Sequence, residues 1–209
     1  AAALAKALEG NRTVTLVDLR GNGIGDEGAT ALAGALEGRS SGETLIQTIL
    51  LGANSIGPEG AAALAKAVER NTTVTLMELR GNGLGPEGAK ALAKALERNR
   101  TVTSLNLSHN GIGDDENATD STCVLAGLLK PQLKVLNVED NQLTRIPADA
   151  FLAMPSAFEL RTWNNPLDFP PEEIVDQGDD AIRDFLRKTT LEEGTVLPTT
   201  REKRARSKR

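Results

Sequence analysis

Apolar residues recur along the chain in short alternating runs, each followed by a longer stretch with helical spacing. Aligned on a shared asparagine, the runs are VTLVDLRGNGI at 14–24, IQTILLGANSI at 46–56, VTLMELRGNGL at 74–84, VTSLNLSHNGI at 102–112 and LKVLNVEDNQL at 133–143. A weaker sixth copy, AFELRTWNNPL, occupies 157–167. Val17 and Leu19, or Met77 and Leu79, share one face of an extended segment while Asp18 and Glu78 take the other, which predicts a short half-buried strand in every copy. In the following stretch GIGDEGATALAGALEG, Ala29, Leu32, Ala33 and Leu36 lie at i, i+3, i+4 and i+7, one face of a helix. Each repeat therefore predicts one strand and one helix.

The aligned asparagines are Asn22, Asn54, Asn82, Asn110, Asn141 and Asn165, in steps of 32, 28, 28, 31 and 24 residues, a period of 28 with two insertions and then a shorter class. One strand and one helix cannot bury both apolar faces, so neighbours must stack. A narrow strand row beside a wider helix row bends the stack, which predicts an α/β horseshoe solenoid with parallel strands on the concave face and helices on the convex face. Alanines at 29, 33, 61, 65, 89 and 93 let adjacent helices approach closely. The asparagine amides are expected to form a structural ladder that satisfies buried backbone groups of neighbouring turns.

GNGIGDEGATALAGALEGR at 21–39 and its echo at 81–99 resemble the ribonuclease-inhibitor-like class of leucine-rich repeats, as found in NOD-like receptors. NQLTRIPADAFLAMPSAFEL at 141–160 resembles the shorter typical class. NPLDFPPEEIVDQGDDAIRDFLR at 165–187 is similar to the C-terminal cap of intracellular members, including some that continue into Roco-type GTPase modules. Secreted members usually place cysteines where this chain has Pro170, Pro171 and Glu172. The resemblance implies an array over 1–168 and a helical cap over 169–188, while 189–209, polar and too charged to fold alone, is expected to be a disordered basic tail. In the cap, Pro171 is expected in the first helical turn, and Ile174, Ile182, Phe185 and Leu186 over the end of the last repeat. For function the resemblance implies a non-catalytic protein–protein interaction module. A sensor segment of a larger NOD-like or Roco-type protein is one alternative, and a Ran-type GTPase activator another, although the latter carry an acidic C-terminal stretch where this chain is basic.

The concave wall is the expected docking surface, with Asp18, Arg20, Leu50, Glu78, Arg80, Asn106, Asn137, Glu139, Arg161 and Trp163 facing a protein partner. Acidic residues at 18/78 and arginines at 20/80 suit a charged partner, against the plainer reading of a solvated sheet with weak ion pairs. Trp163, the sole tryptophan, is expected to pack on the terminal cap, with a binding anchor as the alternative.

Composition narrows the chemistry. Only 2% of residues are aromatic, which suits many small similar layers. Net charge is −5, but Arg201–Arg209 carries six basic groups and one acidic, leaving −10 on the rest and arguing against nucleic-acid binding by the folded body. Cys123 is the only cysteine, which favours a reducing intracellular compartment, with the cytoplasm expected. Lys203–Arg206 looks like a short nuclear-import signal, with a polybasic tether or plain linker as alternatives. No apolar run approaches the ~20 residues of a membrane span, and no signal peptide is evident. The chain lacks an initial Met, and AAALAKALEGN at 1–11 nearly repeats AAALAKAVERN at 61–71, so it is expected to start inside a repeat, as a fragment.

Asp114, Asp115, Glu116 and Asp120 form an acidic loop without the glycine turn or closing glutamate of a calcium loop, and a helix cap at Asp120 or Ser121 is expected instead. The N-x-[ST] patterns at Asn11, Asn71, Asn99, Asn106 and Asn117 read as by-products of the repeat. His109 and Cys123 have no evident third catalytic partner, and no GxxxxGK[ST], GxSxG or HExxH appears. No enzyme activity, cofactor or metal is expected, and the oligomeric state is left open.

Overall fold

A computed structural model of the chain describes residues 1–9, 11–37, 44–115 and 118–192, with the side chains of 191 and 192 outside the description. Six three-residue strands, β1 (Leu16–Asp18), β2 (Thr48–Leu50), β3 (Leu76–Glu78), β4 (Ser104–Asn106), β5 (Val135–Asn137) and β6 (Glu159–Arg161), pair in parallel in sequence order as one open sheet. Their middle residues, Val17, Ile49, Met77, Leu105, Leu136 and Leu160, form one register column, and none is more than 8% exposed. Residues on either side of that column point to the free face, as the period of two requires.

The helices are α1 (Ala2–Leu8), α2 (Gly25–Leu36), α3 (Pro58–Arg70), α4 (Gly85–Leu96), α5 (Val124–Leu128), α6 (Ala148–Leu152), α7 (Glu172–Val175) and α8 (Asp179–Glu192). Ala29, Leu32, Ala33 and Leu36 are all buried, so the predicted helical face is the packed one. Close packing of α2, α3 and α4 depends on glycine as well as alanine. A Cβ on Gly60 would lie 3.0 Å from that of Ala29, and a Cβ on Gly88 3.0 Å from that of Ala61. The result is an α/β solenoid with strands on one side and helices on the other.

The asparagines tie repeat to repeat. Asn54, fully buried, donates to the carbonyls of Leu19, Leu51 and Gly52 at 2.8, 2.8 and 3.1 Å and accepts from Asn22 N at 2.8 Å. Asn82 donates to Leu51 O and Leu79 O and accepts from Asn54 N and Ile56 N, both at 3.0 Å. Asn110, Asn141 and Asn165 continue the column with Leu79 O, Leu107 O and Val138 O of the preceding repeats. Asn22, exposed at the first turn, donates only within its own repeat, to Leu19 O and Arg20 O.

A second asparagine row joins helix ends to the next strand. Asn71 donates to Leu36 O and accepts from Thr73 N and Val74 N, while Asn99 donates to Val68 O and Asn71 O and accepts from Thr101 N and Val102 N. The recurrent N-x-T pattern at these positions is thus an asparagine-capped turn inside the repeat. Gln132 takes the same place one repeat later, donating to Leu96 O and Asn99 O.

The helix cap expected at Asp120 or Ser121 is not formed. Cys123 precedes α5, and the carboxylate that accepts from Val124 N, at 2.8 Å, belongs to Asp114 ten residues earlier. Asp120 serves the next repeat instead, pairing with Arg145 at 2.9 Å. Asp26 likewise accepts from Gly57 N and Gly60 N, at 2.7 and 2.8 Å, and so caps the start of α3 from the previous repeat. Local sequence could not reveal these caps because donor and acceptor lie ten to 34 residues apart, beyond the reach of the usual capping patterns.

α7 and α8 lie against the last repeat. Pro171 sits just before α7 rather than in its first turn. Ile182 and Leu186 are buried, and the Phe185 ring lies 5.6 Å from that of Phe169. Arg183, 4% exposed, donates to Phe151 O, Met154 O and Pro155 O at 3.3, 3.2 and 2.9 Å, and its guanidinium stacks 4.8 Å from the Phe151 ring centre. It gives a donor to Met154 O and a second one to Phe151 O and Pro155 O, which also accept from Met154 N and Phe158 N, at and just beyond the end of α6, where a cation is also favoured by the helix dipole. Asp179 accepts from Leu160 N at 2.9 Å, giving the edge strand β6 an acceptor, and burial pushes its carboxyl above the ordinary range. Among the described residues, no helix is long and apolar enough to cross a membrane. Glu116, Asn117 and the tail from 193, including Lys203–Arg206, lie outside the described residues.

Candidate binding face

The free face of the sheet is built from three register columns. The first runs Leu16, Thr48, Leu76, Ser104, Val135 and Glu159, and the second Asp18, Leu50, Glu78, Asn106, Asn137 and Arg161. The third, two residues on, runs Arg20, Gly52, Arg80, Ser108, Glu139 and Trp163. All ten candidate residues therefore lie in the second and third columns. The acids at 18 and 78 are not neighbours, because Leu50 stands between them, and Gly52 separates Arg20 from Arg80.

Most of the second column caps its own strand exit. Asp18 accepts from Arg20 N at 3.2 Å, Asn106 from Ser108 N at 3.0 Å and Asn137 from Glu139 N at 2.9 Å. Asn137 is only 8% exposed and also donates to the Glu139 carboxylate at 3.0 Å, so it positions its neighbour. Glu78 is longer and reaches two strands, accepting from Arg80 N at 2.8 Å and from Gly52 N at 3.2 Å. These bonds hold the polar side chains of the face in fixed places before any partner arrives.

The charged groups are mostly paired along their own strand. Arg20 bonds Asp18 through Nε at 2.9 Å and Nη2 at 2.6 Å, and that guanidinium lowers the Asp18 pKa while the carboxylate raises that of Arg20. Arg161 bonds Glu159 at 2.6 Å, which raises its own pKa. Both pairs are exposed, where such pairs contribute little stability.

Arg80 is exposed and joins a polar chain across the strand exits. Its Nη2 lies 3.3 Å from His109 Nε2, which lies 2.8 Å from Asp140 Oδ2, and Asp140 Oδ1 accepts from Asn164 at 2.6 Å. One ring nitrogen cannot both donate to Asp140 and accept from Arg80, and the shorter contact assigns its proton to Asp140. His109, which has no partner in sequence, thus gains two side-chain neighbours, Arg80 and Asp140, from the repeats on either side of its own. Beside it, Gly111, Asp140, Gln142, Asn164 and Pro166 line an open depression of about 540 Å³.

Trp163 departs from expectation. It is 69% exposed, so it does not pack on α7 or α8. The reason is register: it falls in the third column, on the free face, whereas the two terminal helices cover the strand edge and the α6 side. Phe169 and Phe185 supply the aromatic contact there instead.

The rest of the chemistry is structural. Asp114 binds Val124 N and Thr144, Asp115 lies 3.6 Å from Lys90, and Asp120 pairs with Arg145. Among the described residues, no group of three or more His, Cys, Asp and Glu side chains is placed to hold a metal ion. Cys123 is 3% exposed, and burial pushes its thiol pKa up, which keeps it protonated and unreactive.

The family described as "Leucine Rich repeat" matches residues 10–33, 70–93 and 98–115. No curated protein matches the chain. Among solved structures, the chain is similar to "Leiomodin-1 Actin-Binding Site 2 (ABS2)", at 16% identity over 91% of this chain and 93% of that one, with a TM-score of 0.48. With those family matches on three repeats, and six strands stacked in parallel register beside their helices, the chain carries leucine-rich repeats in an α/β solenoid fold.

Proposed function

We propose that this chain is a non-catalytic protein-recognition module that presents the free face of its sheet to a protein partner. The observation that carries the reading is that the face is uncovered yet preset. Arg20, Arg80, Arg161 and Trp163 stand exposed, while Asp18, Glu78, Asn106 and Asn137 are already bonded to backbone at the strand exits. Strands at ~4.8 Å spacing offer an array that needs little ordering on binding, which removes part of the usual entropic cost. Leu50, Glu139 and Trp163 complete the surface with apolar, acidic and aromatic contacts.

The same reading assigns residues 1–168 to the repeat array, 169–188 to a terminal cap and 189–209 to a basic extension. Arg183 and Asp179 support the cap, since they bond carbonyls at and just beyond the end of α6 and an amide of the edge strand β6. The glycine- and alanine-faced helices α2 to α4 support a ribonuclease-inhibitor-like subtype for the first repeats, and a single buried thiol supports an intracellular setting.

The test is affinity capture with the intact chain and with a variant carrying Arg20→Glu, Arg80→Glu and Arg161→Glu, once both show the same unfolding transition. A partner retained by the first and lost by the second supports recognition by this face. Equal retention by both moves recognition to the helices or loops.

A further inference from the structure

Charge is concentrated at one end of the solenoid. Residues 139–192 carry twelve acidic and five basic side chains, against fifteen and thirteen over residues 1–138. Four of those five bases are already engaged: Arg183 is buried on carbonyls, Arg145 pairs with Asp120, Arg161 with Glu159 and Arg187 with Asp184, and the acidic excess remains. On the free face of this acidic end stands Trp163, 69% exposed. Asp140 N donates to the Trp163 carbonyl at 3.0 Å, which sets Glu139 and Asp140 on the adjoining strand exit. An open indole beside carboxylates suits lysine and arginine, through cation–π contact and ion pairing together.

We propose that the chain's own basic segment, Arg201–Arg209, docks on this end of the sheet face, over Trp163. Charge complementarity favours it, with six basic and one acidic residue facing an end whose net charge is strongly negative. Reach favours it as well. α8 starts where Asp179 bonds Leu160 of β6, and its 14 residues span about 21 Å at 1.5 Å each. The eight residues 193–200 extend to roughly 26 Å, enough to return from the end of α8 to β6. A tether this short holds the segment at an effective concentration on the order of millimolar, so weak individual contacts suffice. The contact stands whether or not the face binds a partner.

Trp163 is the only tryptophan and the chain has no tyrosine, so intrinsic emission reports this place alone. The experiment is acrylamide quenching of the intact chain and of a variant with Arg201, Lys203, Arg204, Arg206, Lys208 and Arg209 all changed to Gln. These changes fall outside the packed repeats. Covering one of the two indole faces is expected to cut the quenching constant of the intact chain about twofold at low salt. In 1 M NaCl, where the Debye length is about 3 Å, the intact chain is expected to match the variant. Added REKRARSKR peptide is expected to restore protection to the variant. Equal quenching of both chains at low salt overturns the proposal. Protection that grows with protein concentration also overturns it, placing the tail on a second copy. No partner enters the readout, so its failure and a failure of partner capture are separate results.

Discussion

Gly52 donates its backbone N–H to the Glu78 carboxylate of the next strand at 3.2 Å. At the neighbouring exits, Asp18, Glu78, Asn106 and Asn137 accept from the amide two residues on, but Leu50 has no acceptor to offer Gly52. Glu78 therefore serves two strands. Gly52 makes room for it, since a Cβ there would lie 2.7 and 2.9 Å from the carboxylate oxygens and 3.1 Å from Arg80 O.

Gly52→Ala is expected to push the Glu78 carboxylate off the Gly52 amide at a cost of about 1 kcal/mol, the usual net worth of one hydrogen bond. Urea denaturation of Gly52→Ala, Glu78→Ala and the double variant checks the link. Because both changes remove the same bond, the double variant is expected to lose less than the sum. Full additivity would break the coupling.

Asn82→Ala is expected to cost roughly 1–3 kcal/mol, because it strands donors and acceptors in two repeats. Asn22→Ala is expected to cost less, since Asn22 is exposed and donates only within its own repeat. Denaturation midpoints of the two variants decide the order. The positions of these asparagines are legible in the repeat alone, but the difference between rungs is not, because it depends on what stacks beside each one.

Arg183→Met keeps an unbranched aliphatic stem but removes the guanidinium from the carbonyls of Phe151, Met154 and Pro155, leaving Met154 O without this donor and the other two with their backbone donors alone. A loss of about 3 kcal/mol is expected, with hydrogen exchange rising first in α6 and α8. Unchanged protection in both helices would show that the arginine is not what fastens α8 to the array.

Asp179 gives a pH signature. Its carboxyl is raised by burial in the folded chain, so the folded state still holds the proton at a pH where the unfolded state, near 3.9, has released it. Its contribution to stability therefore falls as pH rises from about 3.9 through the raised folded value. Asp179→Asn keeps an acceptor for Leu160 N and removes this dependence. The stability difference is expected to move in favour of the variant between acid and neutral pH, and a difference constant with pH would remove burial as the cause.

Trp163→Ala is expected to change stability by no more than about 0.5 kcal/mol, as for other exposed positions, while weakening capture of a partner that uses the face. A large loss of stability would instead reveal packing at this residue.

The sequence by itself determined the period, the strand and helix of each long repeat, the buried column from Val17 to Leu160 and the row of ladder asparagines. These follow from spacing within one repeat, because alternation and 3.6-residue periodicity mark which face must be buried. Tertiary structure decided the rest. Trp163 is exposed because register puts it on the free face; Asp114 rather than Asp120 caps α5; Arg183 closes α6; and Gly52 depends on Glu78. The last three pair residues ten to 32 positions apart, contacts that the spacing of apolar residues does not encode.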